Sequence, residues 1–364
     1  MPRNVIGMRK EELDTPALCL DIEIVEANLK RMADFFAPLP AKLRPHFKTH
    51  KTPILAQRQL AAGAIGITCA KLGEAEVLAE AGIRDILIAN QVVGAAKIAR
   101  LVNLAAYTEV MVAVDHLDNV TALAEAAAAK EVRLRVLIEV DVGMGRCGVA
   151  AGVAALALAR EIVARPSLRF EGLMGYEGHA VMIPDVAERR HAVEKAMGSL
   201  LATRDLIEKA GIPVKIVSAG GTGTYALSGQ YAEVTEVQAG SYLTMDSNYH
   251  DKVGITEFGR ALTLLATVIH THGNRAVTDA GLKCLTTEFG MPVVAHPGGW
   301  TVVRLAEEHG LLDRAGGADL HPGDKVEIIP SHGCTTINLH DEFHVLRRGV
   351  LEAIWPIAGR GKSA

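Results

Sequence analysis

"DILIANQVVGAAKIARLVNLAAYTEVMVAVD", residues 85–115, contains the pattern that decides the fold. Its two ends, "DILIAN" and "EVMVAVD", are short apolar runs, and "GAAKIARLVNLA" between them has the composition of a helix. Strands that are apolar on both faces and separated by helices are typical of a parallel sheet. The stretch therefore predicts one strand–helix–strand unit.

The same alternation continues over residues 43–243, where eight strand-like runs are found: "LRPHFK", "IGITCAK", "DILIAN", "EVMVAVD", "LRVLIEVD", "FEGLMGY", "VKIVSAG" and "EVQAGSYL". Eight such units predict an α/β fold built on a closed (β/α)₈ barrel, the TIM barrel. An open doubly wound sheet remains an alternative, because the loss of one run would break the count of eight.

After residue 255 the sequence becomes strand-like, with glycine and histidine at the breaks and few helix signals. This texture predicts a second, smaller and mainly antiparallel β domain. We expect the barrel to occupy residues 25–250, and residues 1–24 and 251–364 to form the β domain. An early strand, "PALCLDI" (16–22), precedes the barrel, and pairing into the barrel is one possibility for it.

Composition excludes several classes of function. The net charge is −4 and the isoelectric point is near 6.4, so no basic field points to nucleic acid. Five scattered cysteines without a CxxC argue against a disulfide framework and for a reducing compartment. No apolar run reaches the length of a membrane span. We therefore expect a cytoplasmic protein that acts on a small molecule, with neither a membrane nor a nucleic-acid partner.

Chemistry in such a barrel occurs at the carboxyl ends of the strands. Candidate residues follow five of the predicted strands: Lys48, Arg146, Tyr176 with His179, "GGTGT" (220–224) and "GSY" (240–242). The two glycine-rich turns predict a phosphate cradle, since glycine lets backbone N–H groups approach a ligand closely. Neither turn is a GxGxxG or Walker loop, which disfavours a dinucleotide or ATP.

A lysine near a phosphate site suggests a Schiff base with a phosphorylated aldehyde cofactor. The alternative for Lys48 is a solvated basic loop, because Arg44, His50 and Lys51 lie close to it in the chain. Arg146 could hold an anionic oxygen by charge-assisted hydrogen bonds, or could be a surface residue on a tight turn. The local sequence does not decide between the functional and the structural interpretation of either residue.

"IIPSHGCTT" (328–336) places His332 and Cys334 two residues apart. On a strand this spacing puts both side chains on one face, as two metal ligands from one element would be. An imidazole with a thiolate favours Zn²⁺ over Mg²⁺ or Ca²⁺. A chance pair is the alternative.

Six segments together resemble one known family: "RPHFKTHK", "VDVGMGRCGV", "SAGGTGTY", "QAGSYLTMD", "TDAGLK" and "PSHGCTTINLHD". They look like the D-threonine aldolase/D-serine dehydratase family, pyridoxal 5'-phosphate (PLP) enzymes of the alanine-racemase fold, type III. The resemblance runs in order from about residue 14 to the C-terminus. It implies a barrel with a β domain, in a homodimer whose active site lies near the subunit interface.

The resemblance also assigns roles. Lys48 matches the Schiff-base lysine, Arg146 the arginine at the cofactor's phenolic oxygen, and Tyr176 the aromatic residue beside its ring. The residues that match the phosphate site are Gly221, Thr222, Gly240 and Ser241. His332 and Cys334 match the ligands of a divalent metal, Zn or Mn. The expected catalytic residues are Lys48, Tyr176 and His179.

Two branches of the family remain open. His332-x-Cys334 is of the dehydratase kind, whereas "GGTGTY" and "EVQAGSYLTMD" look like the aldolase branch. A histidine that aldolases carry several residues after the Tyr176 position is absent at that spacing, although His179 is near it. The expected function is a PLP- and metal-dependent lyase that cleaves D-3-hydroxy amino acids to glycine and an aldehyde.

The first alternative is elimination of the D-serine dehydratase type, to a 2-oxo acid and ammonia. A metal-free racemase is a weaker alternative, because that chemistry uses a second base, usually a tyrosine of the β domain, and no tyrosine follows Tyr249. A non-catalytic PLP-binding protein and a barrel enzyme without the cofactor are further alternatives. The added β domain and the HxC pair count against the first of these.

Overall fold

The computed structural model of the chain describes residues 4–364 and divides them into two compact units. We call residues 32–48, 55–240 and 362–364 the barrel unit. The described residues up to 31, together with 49–54 and 241–361, are called the β unit. Each unit has its own sheet.

Strands and helices of the described residues are labelled in chain order. The strands are β1 (Ala17–Asp21), β2 (Lys42–Leu43), β3 (Ile67–Cys69), β4 (Asp85–Gln91), β5 (Glu109–Val114), β6 (Leu134–Asp141), β7 (Val149–Ala150), β8 (Leu168–Gly175), β9 (Ile216–Ala219), β10 (Glu236–Val237), β11 (Leu262–His272), β12 (Arg275–Thr278), β13 (Val293–His296), β14 (Trp300–Leu305), β15 (Gly310–Arg314), β16 (Lys325–Ile329), β17 (Glu342–Arg347) and β18 (Val350–Pro356).

The α-helices are α1 (Ile22–Phe36), α2 (Pro53–Ala61), α3 (Leu72–Glu80), α4 (Ala95–Ala105), α5 (Leu117–Ala129), α6 (Val153–Val163), α7 (Val186–Lys209), α8 (Tyr225–Ser228) and α9 (Gly333–Ile337). Short 3₁₀ turns cover Lys10–Glu12, Phe47–Thr49 and Ser241–Leu243, and one π turn covers Asn248–Lys252. Among residues 4–364, no helix combines the length and the apolar character that crossing a membrane requires.

The sheet of the barrel unit has nine strands, of which eight parallel strands lie in the order β2-β10-β9-β8-β6-β5-β4-β3 and the short β7 pairs to β6. The two ends of this order are joined by a parallel bridge between His46 and Thr68, with the Thr68 N–H donating to the Pro45 carbonyl at 2.9 Å. Each of the eight predicted runs overlaps one of these strands. The predicted barrel is confirmed, and the open doubly wound alternative is wrong.

The amino-terminal end of the barrel contains a buried ion-pair network. Arg44 is 3% exposed; its Nε donates to Glu236 at 2.8 Å and its Nη1 to Asp85 at 3.0 Å. Asp85 is the first residue of β4, so this network lies at the end where strands begin. In a barrel, residues at that end serve stability and not catalysis. Arg44 therefore does not belong to a reactive basic cluster.

The β unit is built on a mainly antiparallel sheet in the order β14-β15-β12-β11-β1-β17-β18, with β16 pairing to β11 and β13. Strand β1 pairs antiparallel to β11 and parallel to β17. The early strand at 16–22 therefore belongs to this sheet. Its core includes a buried apolar cluster of Leu13, Ala17, Cys19, Leu265, Leu346 and Leu351.

Candidate active site

The carboxyl end of the barrel collects the candidate residues that follow its strands. Lys48 follows β2, Arg146 follows β6, Tyr176 follows β8, Gly221 follows β9 and Gly240 follows β10. Because the strands are parallel and the barrel is closed, all five positions lie on the same rim. This rim is the place where the fold brings chemistry together.

Lys48 lies in the 3₁₀ turn Phe47–Thr49 and is half-buried. Phe47 is completely buried, and the backbone N–H of Lys48 donates to His46 Nδ1 at 3.4 Å. His46 is itself part of the bridge that joins β2 to Thr68. The backbone of the turn that carries Lys48 is therefore fixed by the buried Phe47 and by the hydrogen bond to His46.

The turn that carries Arg146 is built on a carboxylate. Asp141 Oδ1, at the end of β6, accepts from the backbone N–H of Gly143 at 2.9 Å and of Gly145 at 3.1 Å. Both glycines have φ in the left-handed region, +117° and +64°, which favours glycine there. The hydrogen bonds from Gly145 and Gly143 lower the pKa of Asp141.

Arg146, Tyr176 and Glu139 form one cluster at the rim. The Arg146 guanidinium carbon lies 5.6 Å from the centroid of the Tyr176 ring, and its Nη2 lies 3.8 Å from Glu139 Oε1. Glu139 Oε2 accepts from Gln91 Nε2 at 2.6 Å. Burial raises the pKa of Glu139, against the opposing effects of Gln91 and Arg146. Our sequence reasoning missed Glu139 and Gln91, although a charged residue near the end of an apolar strand is a usable signal.

The first glycine-rich turn passes beside Tyr176. A Cβ atom on Gly221 would lie 3.3 Å from the Tyr176 ring and 3.2 Å from Val181 Cγ1. A Cβ atom on Gly223 would lie 2.0 Å from the Val181 carbonyl oxygen, which excludes any other residue. Thr222, between them, is 2% exposed. The turn therefore requires glycine in order to lie against the tyrosine and its neighbours.

His179 is exposed and lies beside the Arg146 turn. A Cβ atom on Gly143 would be 3.4 Å from His179 Cε1, and the charge of His179 contributes to the lowered pKa of Asp141. The structure thus brings His179 to the same side of the rim as Arg146.

In the β unit, the predicted strand geometry of His332 and Cys334 is wrong. Strand β16 ends at Ile329, and Pro330 follows, which has no N–H with which to continue a ladder. His332 is the extended residue before α9, and Cys334 is the second residue of that helix. The two side chains nevertheless meet, because a hydrogen bond joins them at the start of the helix.

Three further groups hold this pair. His332 Nδ1 lies 2.7 Å from Glu288 Oε2, and Cys334 Sγ lies 3.6 Å from Thr49 Oγ1. Ser241, which the sequence assigns to phosphate, has its Oγ 3.9 Å from Cys334 Sγ. Burial opposes protonation of His332, but Cys334, Glu288 and Asp246 outweigh it and raise the pKa of His332 to about 9.

Asp246 clamps the backbone between the two candidate ligands. Its Oδ2 accepts from the Gly333 N–H at 3.0 Å, and its Oδ1 accepts from the Tyr249 N–H at 2.9 Å. It is 1% exposed, and burial raises its pKa. Asp246 and Glu288 were missed at the sequence level, since both come from segments far from the HxC motif.

The donor set fits a divalent metal. A metal-binding histidine typically has its second ring nitrogen on a carboxylate, as His332 does with Glu288. Residues 4–364 contain no group of three His, Cys, Asp or Glu side chains suited to a metal.

The barrel rim likewise fits PLP. It offers the amine of Lys48, the cation of Arg146 beside an aromatic ring, and a glycine turn that a Cβ atom would obstruct. Profiles of known protein families match most of the chain. The alanine racemase N-terminal domain profile matches residues 20–248, and a serine dehydratase domain profile matches residues 261–346.

The chain belongs to the alanine racemase N-terminal domain family. Within it, this chain is 39% identical to the D-threonine aldolase of Arthrobacter sp., over 96% of this chain and 94% of that protein. It is 34% identical to the 3-hydroxy-D-aspartate aldolase of Paracoccus denitrificans (strain Pd 1222), over 98% of this chain and 94% of that one. The resemblance drawn from the sequence motifs is thereby confirmed.

Solved structures of similar enzymes have the same fold as this chain. The D-threonine aldolase of Filomicrobium marinum superposes with a TM-score of 0.96 at 36% identity, covering 99% of each chain. The D-threo-3-hydroxyaspartate dehydratase of Delftia sp. HT23 gives 0.89 at 28% identity, over 96% of this chain and 98% of that one. The aldolases are thus the more similar relatives of the two kinds, and PLP is the cofactor that the family implies.

Proposed function

We propose that the protein is a PLP- and divalent-metal-dependent lyase that cleaves D-3-hydroxy amino acids to glycine and an aldehyde. The observation that carries this proposal is near-full-length similarity, at 34–39% identity, to two aldolases of such substrates. The residues at the barrel rim and in the HxC turn are those that this chemistry needs.

In the proposed roles, Lys48 holds PLP through its amine, Arg146 donates to the phenolic oxygen, and Tyr176 packs beside the ring. The phosphate is bound by the glycine-rich turns, through Gly221, Thr222, Gly240 and Ser241. Bound PLP supplies an electron sink for the negative charge that develops on the substrate's Cα. Glu139, held by Gln91, orients the guanidinium of Arg146.

His332 and Cys334 would hold the metal, which supplies a Lewis acid for the substrate's β-hydroxyl group. A thiolate ligand favours Zn²⁺, with Mn²⁺ the alternative. Lys48 is the proposed proton-transfer residue, with His179 the second candidate. Removal of the hydroxyl proton leads to cleavage of the Cα–Cβ bond, whereas removal of the Cα proton leads to loss of hydroxide.

Dehydration is the second candidate function. The His-x-Cys pair favours it, since D-serine dehydratases resemble this chain at that motif. Cleavage is preferred because the aldolases are 34–39% identical to this chain, compared with 28% for the Delftia dehydratase. We also infer a homodimer from the family resemblance, which sedimentation of the purified protein tests, and a cytoplasmic location from the scattered cysteines.

Product analysis separates the candidates. Purified protein is incubated with D-threonine, D-serine and 3-hydroxy-D-aspartate, with and without a chelator. Glycine with an aldehyde is the expected product, and its formation should stop when the metal is removed. A 2-oxo acid with ammonia would establish the dehydratase function instead. An L-enantiomer, formed equally with the chelator present, would exclude both.

A further inference from the structure

Glu177 is a completely buried carboxylate that directly follows Tyr176. It accepts three hydrogen bonds: its Oε2 from the Gly220 N–H at 3.0 Å, and its Oε1 from the Thr224 hydroxyl at 2.7 Å and the Ser228 hydroxyl at 2.5 Å. All three donors are neutral, and all three belong to residues 220–228. One side chain thus accepts from two residues of the turn between β9 and α8 and from the last residue of α8.

Glu177 is also linked to Gly221, through the hydroxyl of Thr224. The Gly221 N–H donates to Thr224 Oγ1 at 3.1 Å, and that hydroxyl donates in turn to Glu177. Gly220 has a φ of +77°, in the left-handed region that glycine adopts readily. The amides of both glycines are therefore fixed by Glu177, one directly and one through Thr224.

A buried carboxylate beneath a proposed phosphate site needs a specific reason. Its charge repels a phosphate, so it cannot add affinity by attraction. What it adds is geometry, because a charged acceptor forms strong hydrogen bonds with backbone and hydroxyl donors. By taking the donors of Gly220, Thr224 and Ser228 on one side, it leaves Thr222 at the apex of a turn of fixed shape.

We propose that Glu177 is the positioning residue of the phosphate turn, and that it sets the preference of the protein for a phosphorylated over an unphosphorylated pyridoxal. The inference rests on the proposed function, in which residues 221 and 222 bind the cofactor's phosphate. Glu177 does not touch the ligand in this role; it acts through the backbone of residues 220–224.

The test measures the dissociation constants of PLP and of pyridoxal, which lacks the phosphate, for the apo forms of four proteins. These are the wild type, Glu177→Gln, Thr224→Val and Glu171→Gln. In Glu177→Gln an amide group replaces one carboxylate oxygen, so a donor faces the donors of the turn. Thr224→Val removes the hydroxyl that links Gly221 to Glu177.

Glu171→Gln is the matched control. Glu171 is also a buried carboxylate on the same stretch of chain, 5% exposed, but it accepts from Arg135 and Arg169. It lies four residues before the carboxyl end of β8. Its substitution lowers the stability of the barrel unit without touching the turn, and circular dichroism with a thermal melt reports the fold of every variant.

We expect Glu177→Gln and Thr224→Val to weaken PLP binding roughly 10- to 100-fold, with little change for pyridoxal, so that the ratio of the two constants falls. Glu171→Gln should leave that ratio at its wild-type value. Equal weakening of both ligands, or tighter PLP binding by Glu177→Gln, would overturn the positioning role. A wild type that does not distinguish PLP from pyridoxal would instead overturn the phosphate site of the proposed function. If Glu177→Gln does not fold, Thr224→Val decides alone.

Discussion

Arg44 and Lys48 are close in the chain but have different surroundings. Arg44 is buried and pairs with Glu236 Oε2 and with Asp85, whereas Glu236 Oε1 has no hydrogen-bond partner among the described residues. Lys48 is half-buried in the 3₁₀ turn that follows β2. The basic stretch after β2 therefore combines an internal ion pair with the lysine proposed to bind PLP.

Substituting these two cations should separate stability from chemistry. Arg44→Ala leaves the buried Glu236 carboxylate without its cation, and we expect it to destabilise the barrel unit by about 3–5 kcal/mol. Lys48→Ala should change the stability little, because the side chain is only half-buried. Urea unfolding of both variants measures the difference, and similar midpoints would contradict the assigned surroundings.

Lys48→Ala should also abolish the covalent attachment of PLP. Borohydride reduction of cofactor-loaded wild type, followed by peptide mapping, should find the modified lysine at position 48. Lys51→Ala provides the control, because Lys51 lies in the same basic stretch and its Nζ contacts the Gly359 carbonyl at 3.4 Å. Modification at Lys51 in the wild type would be evidence against the assignment of Lys48.

At the scale of elements, the HxC pair depends on a strand-to-helix junction. Asp246 holds the Gly333 amide at this junction, and Glu288 orients His332. Both carboxylates come from segments distant in sequence, so neither could be found from the motif itself. The apolar runs predict the eight barrel strands because burial on both faces is a local property of each run. Asp246 and Glu288, in contrast, reach the HxC turn only through the tertiary structure, which no local pattern records.

The same distinction explains what was missed at the barrel rim. Lys48, Arg146 and Tyr176 are predicted because each lies in a recognisable motif within a few residues of a strand's carboxyl end. Glu139 and Glu177 are found only in the structure, since their partners, Gln91 and residues 220–228, come from other strands. The strand geometry assigned to His332 and Cys334 is wrong because Pro330 ends β16 before them.

Asp246→Asn should weaken metal binding by roughly 10- to 100-fold, as loss of an outer hydrogen-bond partner typically does. The amide would present a donor, or at best a neutral acceptor, to the Gly333 N–H. Competition with a chelating dye for Zn²⁺ measures the affinity. Asp21→Asn is the control, because Asp21 Oδ1 likewise accepts two backbone amides, of Glu23 and Ile24, at the start of α1. Equal affinities of the two variants would contradict the role of Asp246.

At the scale of the whole molecule, the lysine proposed to bind PLP and the residues proposed to bind the metal come from different parts of the chain. Lys48, Arg146 and Tyr176 belong to the barrel unit, whereas His332 and Cys334 belong to the β unit, as does Ser241 of the proposed phosphate site. In the proposed roles, the amine that would hold the cofactor and the two ligands that would hold the metal are thus different side chains. We therefore expect that the metal can be removed while PLP stays bound, and PLP while the metal stays bound.

Chelation should therefore stop the cleavage of D-3-hydroxy amino acids while leaving the cofactor bound. The physical reason is that, in the proposed roles, the metal would activate the β-hydroxyl group, whereas the amine of Lys48 would keep PLP on the barrel unit. The visible absorbance of the protein reports bound cofactor, glycine formation reports cleavage, and added Zn²⁺ or Mn²⁺ should restore the activity. Undiminished glycine formation after chelation would contradict the role proposed for the metal. Loss of the cofactor together with the metal would show that the two sets of side chains do not bind independently.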